Sequence, residues 1–177
     1  MEALFIVDVQ NDFCPGGALP VPDGDRVVPV INRLIDKFQL TVASQDWHPQ
    51  ETDHFDSWPP HCVQETAGAR LHPDLKQEKI DKIFRKGTGN RDDGYSAFEA
   101  DQNLEAYFRE NEVEDLYVTG LATEYCVKET ALEALERGFN VYLVEEAVAG
   151  IEPEDVEQAL EEMREKGIKI IARAEQV

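Results

Sequence analysis

Residues 115–138, DLYVTGLATEYCVKETALEALERG, decide the fold. The stretch opens as a short apolar strand over Leu116, Tyr117 and Val118. It closes as a helix with Val127, Ala131, Ala134 and Leu135 on one face. Gly120-Leu121-Ala122-Thr123 is the turn between them, and Thr123 is placed to cap the helix, which puts Cys126 at the third helical position. A thiol there faces unpaired backbone N–H groups and the positive end of the helix dipole, and both favour thiolate. The same N–H groups can hold the oxyanion that forms when a thiolate attacks a carbonyl. The plain alternative is a buried, inert cysteine.

The same alternation of strand and helix continues outward in both directions. Residues 4–7 are apolar on both faces and stop at Asp8, the pattern of a central parallel strand covered by helices. Further strands are expected over 40–44, followed by Asp46-Trp47-His48, then 82–86, 141–144 and 168–171. Helices are expected from a start between Asp25 and Pro29 (Val28, Ile31, Ile35 and Phe38 on one face), over 103–111, and from Pro153 to Gly167. Residues 49–79 show little periodicity, and a structureless run of that length inside a compact domain is usually functional. The pattern implies a doubly wound α/β fold, Rossmann-like, with a mostly parallel six-stranded sheet and helices on both faces, in one domain over 1–177.

Composition excludes several classes. A hydrophobic share of 42% suits a folded domain. The formal charge of −20 disfavours nucleic acid and anionic membranes as partners. No N-terminal run resembles a signal peptide and none approaches a membrane span, so a soluble cytoplasmic protein is expected. The three cysteines, Cys14, Cys62 and Cys126, have neither zinc-ribbon nor disulfide-framework spacing and are expected to be reduced thiols. Composition leaves a homo-oligomer open.

Polar residues gather at the strand ends. Asp8 ends the first strand, Asp46 follows the second, Lys86 ends the third and Cys126 follows the fourth. Open α/β sheets bind ligands outside the carboxyl ends of their strands, near the point where strand order reverses. A carboxylate at the end of a buried strand is partly desolvated, so its pKa rises, which suits a base for the thiol proton. Asp8 could instead cap a neighbouring turn, and Lys86 beside Arg85 could be solvated surface. Only one of that basic pair can point inward, because side chains alternate along a strand.

A second cluster is Asp46, His48, His54 and His61. Imidazoles and a carboxylate in a long irregular loop suit zinc, manganese or iron, although a lone histidine is more often a hydrogen-bonded structural residue. His72, beyond the cluster and before Pro73, is read as surface.

IVDVQNDF with CPGGAL, then DWHP, HFDSWPPHC, RKGT with GYSAF, and VTGLATEYCV together resemble the successive motifs of the nicotinamidases, also called pyrazinamidases. These are a branch of the isochorismatase-like cysteine hydrolases, and the motifs span residues 6–127. The resemblance implies a triad of Asp8, Lys86 and Cys126 and one divalent metal ion, zinc with manganese or iron as alternatives. That metal would be bound by Asp46, His48 and His61, with His54 as a ligand some members lack. It also implies an oxyanion hole from the N–H groups of Ala122 and Cys126, shaped by a cis peptide between Leu121 and Ala122. The pocket walls would be Phe13, Trp58, Leu121 and Ala122, with Tyr95 and Tyr125, although core packing is the alternative for each aromatic. The implied reaction converts nicotinamide and water to nicotinate and ammonia through a thioester, in NAD salvage, with pyrazinamide as a further substrate. The partner would thus be a small pyridine carboxamide whose ring nitrogen faces the metal. Cys14 and Cys62 carry no implied catalytic role.

Four other readings compete, one of them a catalytically dead, interaction-only member of the family, against which stands the presence of all three triad residue types. A sibling amidohydrolase would act on another small amide or carbamoyl compound, such as N-carbamoylsarcosine or ureidoacrylate. An iron oxygenase would use two histidines and a carboxylate, but the cysteine turn counts against it. A nucleotide-binding module would need a glycine-rich turn after the first strand, where Asp8-Val9-Gln10-Asn11 stands instead.

Overall fold

The computed structural model describes residues 1–177. Six strands, β1 (Glu2–Val7), β2 (Thr41–Asp46), β3 (Lys82–Lys86), β4 (Asp115–Leu121), β5 (Asn140–Ala149) and β6 (Lys169–Ile171), form one sheet in the order β3-β2-β1-β4-β5-β6. Every pairing is parallel. The chain winds outward from β1 in one direction through β2 and β3, then restarts beside β1 with β4. The strand order therefore reverses between β1 and β4, where such a sheet opens a crevice at its carboxyl edge.

The central strand β1 is apolar on both faces because each face meets a helical layer. Phe5 and Val7 pack with Phe108, Ala131, Ala134 and Met163 on one side. These partners come from α3 (Leu104–Glu110), α4 (Lys128–Glu136) and α5 (Pro153–Lys166). Leu4 and Ile6 pack with Val28, Ile31 and Leu34 of α1 (Val27–Ile35) on the other. Asn103 caps α3 through its side chain, which accepts from the Ala106 N–H. Gly167, at φ 110°, ends α5 in the left-handed conformation that glycine adopts without a Cβ penalty. No helix is long and apolar enough to cross a membrane.

Several elements differ from the sequence reading. Asp46 is the last residue of β2 rather than its successor, and Phe38 lies beyond the end of α1. The aperiodic segment contains a short helix, α2 (His54–Ser57). β5 runs on through Glu145 and Glu146 to Ala149, well past the apolar core of the strand. Its register against β4 shifts between Val118 and Gly120, so the extra length is accommodated at an irregularity rather than by a regular ladder.

Candidate active site

β1 delivers Asp8 to the crevice. The residue takes φ 49°, a left-handed conformation uncommon outside glycine but best tolerated by Asp and Asn, and it turns the chain off the strand axis. β2 and β3 deliver the next two groups in register, since Asp46 and Lys86 are directly paired across the sheet. Alternation then sends Lys86 inward, fully buried, and leaves Arg85 outside, stacked 3.8 Å over the Trp47 ring. β4 ends at a cis peptide between Leu121 and Ala122. Just before it, Gly120 sits so close to β1 that a Cβ would lie 2.0 Å from the Val7 carbonyl oxygen. Only glycine lets the two central strands close here.

The turn that carries Cys126 differs from the expected cap. Thr123–Val127 form a π-type turn in which Tyr125, at φ −121° and ψ −107°, leaves helical geometry. The Thr123 hydroxyl is buried with no hydrogen-bond partner, so it caps nothing. The Ala122 carbonyl accepts from the N–H groups of Tyr125 and Val127, which flank Cys126. The wider turn carries the thiol into the crevice.

There the three groups meet. The Lys86 ammonium lies 2.8 Å from Asp8 Oδ2 and 3.4 Å from Cys126 Sγ, and it also donates to Asp46 Oδ1 and to the Gly94 carbonyl. A carboxylate oxygen of Asp8 and one of Asp46 both lie within 4.8 Å of the sulfur. Ser44 Oγ donates to Asp8 Oδ1 at 2.7 Å. Asp8 Oδ2, although close to Lys86, makes no well-aligned hydrogen bond, which leaves a lone pair available to the thiol.

Burial sets the proton inventory. It pushes Asp8 above the usual carboxylate range, against the pull of Lys86. It also pushes the Cys126 thiol well above the usual thiol range, again against Lys86. Desolvation thus works against the turn's N–H groups and the lysine, which favour thiolate, and Asp8 stands where it can take the thiol proton. Lys86 is pushed down by burial, but Asp46 and Asp8 outweigh that and hold it charged.

Beside this trio, one nitrogen from each of His48, His54 and His61 lies within 4.8 Å of the other two. Asp46 Oδ2 lies 3.4 Å from His48 Nε2 and 3.7 Å from His61 Nε2. Each Nδ1 is engaged away from the cluster: His48 with the Gly87 carbonyl at 3.0 Å, His61 with the Pro59 carbonyl at 2.7 Å, and His54 with Asp92 Oδ1 at 2.7 Å. Gly87, at φ 64°, stands where a Cβ would come within 2.4 Å of the His48 ring. Outward Nδ1 bonds of this kind fix the tautomer that presents Nε2 as a lone pair. His48 Nε2 is buried with no partner at all. An orphaned imidazole nitrogen facing two more imidazoles and a carboxylate fits a divalent metal. His72 takes no part; its Nδ1 accepts from the Asp74 N–H at the surface.

A pocket of about 470 Å³, open space at its mouth included, rises above both groups. Cys126, Asp46, His54 and His61 line its floor, and the six expected wall residues, Phe13, Trp58, Tyr95, Leu121, Ala122 and Tyr125, all face it. Leu19, Val21, Gly94 and Ile151 complete the wall and were not anticipated. Ser44 and Asp92 were missed as well. Ser44 carried a faint signal, as a polar residue closing an apolar run, whereas Asp92 in RDDG carried none.

Comparison with known proteins follows this geometry. Residues 2–175 match the Isochorismatase domain family. The nicotinamidase of Escherichia coli (strain K12) is 41% identical over 204 residues, covering 98% of this chain and 96% of that protein. The crystal structure of the pyrazinamidase of Pyrococcus horikoshii in complex with zinc is 50% identical with a TM-score of 0.89, covering 96% of this chain and 98% of that one. A protein of L. infantum solved in complex with nicotinate is 35% identical with a TM-score of 0.91, covering 97% of this chain and 92% of that one.

Proposed function

This chain belongs to the isochorismatase family, and on that premise we propose that it is a metal-containing cysteine amidohydrolase that converts nicotinamide and water to nicotinate and ammonia. The observation that carries the reading is the Cys126 thiol lying 3.4 Å from the Lys86 ammonium and beside Asp8 on the floor of an aromatic pocket. Pyrazinamide, with the same carboxamide on a similar ring, is expected to be a second substrate. Residues 1–177 act as one hydrolase domain in the cytoplasm, without nucleic acid or membrane as partners, in keeping with the charge of −20.

The pyridine ring enters between Phe13, Trp58, Tyr95 and Tyr125, against Leu121 and Ala122. Asp8 takes the proton from Cys126, and the sulfur attacks the carboxamide carbon. The N–H groups of Ala122 and Cys126 receive the oxyanion. Asp8 returns its proton to the departing amine, which leaves as ammonia while the acyl group stays on sulfur as a thioester. Asp8 next takes a proton from the attacking water. Collapse of the second tetrahedral adduct releases nicotinate, and the proton returns to sulfur. Lys86 keeps its charge throughout and holds Asp8 in position. Asp46, His48, His54 and His61 would hold a divalent metal, zinc with manganese or iron as alternatives. Bound there, it supplies a Lewis acid for the ring nitrogen.

Ammonia release from nicotinamide, pyrazinamide and N-carbamoylsarcosine tests the reading, with metal analysis of the same preparation. Release from the two pyridine-type amides and not from the carbamoyl amine is expected. Release from the carbamoyl amine alone would move the chain to a sibling activity.

A further inference from the structure

We propose that Asp92 is a positioning residue that ties one metal ligand, His54, to the aromatic wall of the pocket, so that metal retention and binding of the substrate ring are linked. The proposal rests on the metal site assigned above. Asp92 Oδ1 accepts two hydrogen bonds, from His54 Nδ1 at 2.7 Å and from the Tyr95 hydroxyl at 2.9 Å. Tyr95 in turn accepts from the Trp58 indole N–H at 3.0 Å. An indole nitrogen only donates and an ionised carboxylate only accepts. The chain therefore runs in a fixed direction, Trp58 to Tyr95 to Asp92, with His54 donating to the same oxygen from the other side.

That direction has two consequences. His54 must carry its hydrogen on Nδ1, which leaves Nε2 as the lone pair offered to a metal. The phenol of Tyr95 and the indole of Trp58 are locked to the same anchor, and both line the pocket with His54. His48 and His61 are oriented by the backbone carbonyls of Gly87 and Pro59, which no side-chain substitution removes. Of the three imidazoles, only His54 depends on a side chain, and the carboxylate gives it the stronger, charge-assisted bond. Asp92 itself stands outside the pocket with its side chain 41% exposed, so it acts through His54 and Tyr95 rather than on substrate.

The link also spans two segments. His54 opens α2 and Trp58 follows its end, while Asp92 and Tyr95 belong to the loop after β3. The Asp53 N–H donates to the Asn90 carbonyl at 2.9 Å, so backbone and side chains hold these segments together in parallel. Loss of the side-chain link alone should loosen the ligand and the wall without unfolding the loop.

The test measures zinc affinity of the metal-free protein by competition with a chromophoric chelator, and kcat and KM for nicotinamide at saturating zinc. Asp92→Ala is expected to bind zinc about 10- to 100-fold more weakly and to raise KM more than it lowers kcat. Asp92→Asn, which keeps an acceptor oxygen, should recover part of both. In a His54→Ala background, Asp92→Ala should cost no further zinc affinity yet still raise KM through Tyr95. Zinc affinity of Asp92→Ala within about twofold of the unmodified protein, or an equal loss with and without His54, would overturn the proposal. So would an unmodified chain that binds no zinc. A chain that binds zinc but hydrolyses no nicotinamide would instead count against the substrate assignment and leave the affinity comparison decisive for Asp92.

Discussion

Asp8 and Asp46 close neighbouring parallel strands, both are buried, and both touch the Lys86 ammonium, yet their surroundings drive them apart. Burial lifts Asp8 above the ordinary carboxylate range, with Lys86 pulling against it and Ser44 as its hydroxyl donor. Burial acts on Asp46 as well, but the Lys86 ammonium, with the His48 and His61 imidazoles beside it, outweighs it and holds the carboxyl well below that range. Two chemically identical groups thereby acquire different work. Asp8 is a proton acceptor of useful basicity, and Asp46 is a permanent anion suited to a cation.

The sharpest way to break this division is to remove the group the two share. Lys86→Gln leaves two buried carboxylates without their common counter-charge. It is expected to lose turnover and about 3–5 kcal/mol of stability in denaturant unfolding. Next in size are the separate substitutions. Asp8→Asn should lower kcat by about 10²- to 10⁴-fold with metal content unchanged. Asp46→Asn should lose metal first and raise KM. The same loss profile in both variants, read from steady-state kinetics and metal analysis, would contradict separate roles.

Activity against pH should show a smaller but diagnostic effect. Asp8 must be ionised to accept the thiol proton, so activity falls as pH drops through its pKa. Because that pKa is raised, the acid limb should lie above 3.8. The stability contributions have opposite signs. The contribution of Asp8 is fully present below its unfolded value of 3.8 and is lost as pH rises through its higher folded value. The contribution of Asp46 is present above 3.8 and is lost as pH falls through its lower folded value. An acid limb at or below 3.8 in folded protein would assign the proton elsewhere. The smallest effect belongs to Thr123, on the cysteine turn but outside the proton route. Its hydroxyl is buried without a partner, so Thr123→Val should leave kcat within about twofold and stability within about 1 kcal/mol.

What could be read in the sequence followed periodicity and spacing. The run 4–7 showed a two-sided strand ending at Asp8, the third strand matched Lys82–Lys86, and alternation correctly allowed only one of Arg85 and Lys86 inside. Position at the strand ends was enough to bring Asp8, Asp46, Lys86 and Cys126 into one crevice. Three features were hidden for physical reasons. Local propensity makes Thr123 a cap, but the π-type turn after Ala122 is a tertiary outcome, whereas the cis peptide before Ala122 was expected through the family resemblance alone. Glu145 and Glu146 look like the end of a strand, yet β5 continues through them to Ala149. Asp92 meets His54 across 38 positions of sequence, and nothing in RDDG signals that partner.

The most direct test of the central claim, that the Cys126 sulfur becomes acylated, is turnover by Cys126→Ala set against its nicotinamide affinity. Turnover should fall by on the order of 10⁴-fold or more, while nicotinamide still binds to the intact aromatic and metal-fitting walls. Hydrolysis retained at a substantial fraction of the unmodified rate would contradict covalent catalysis at this residue.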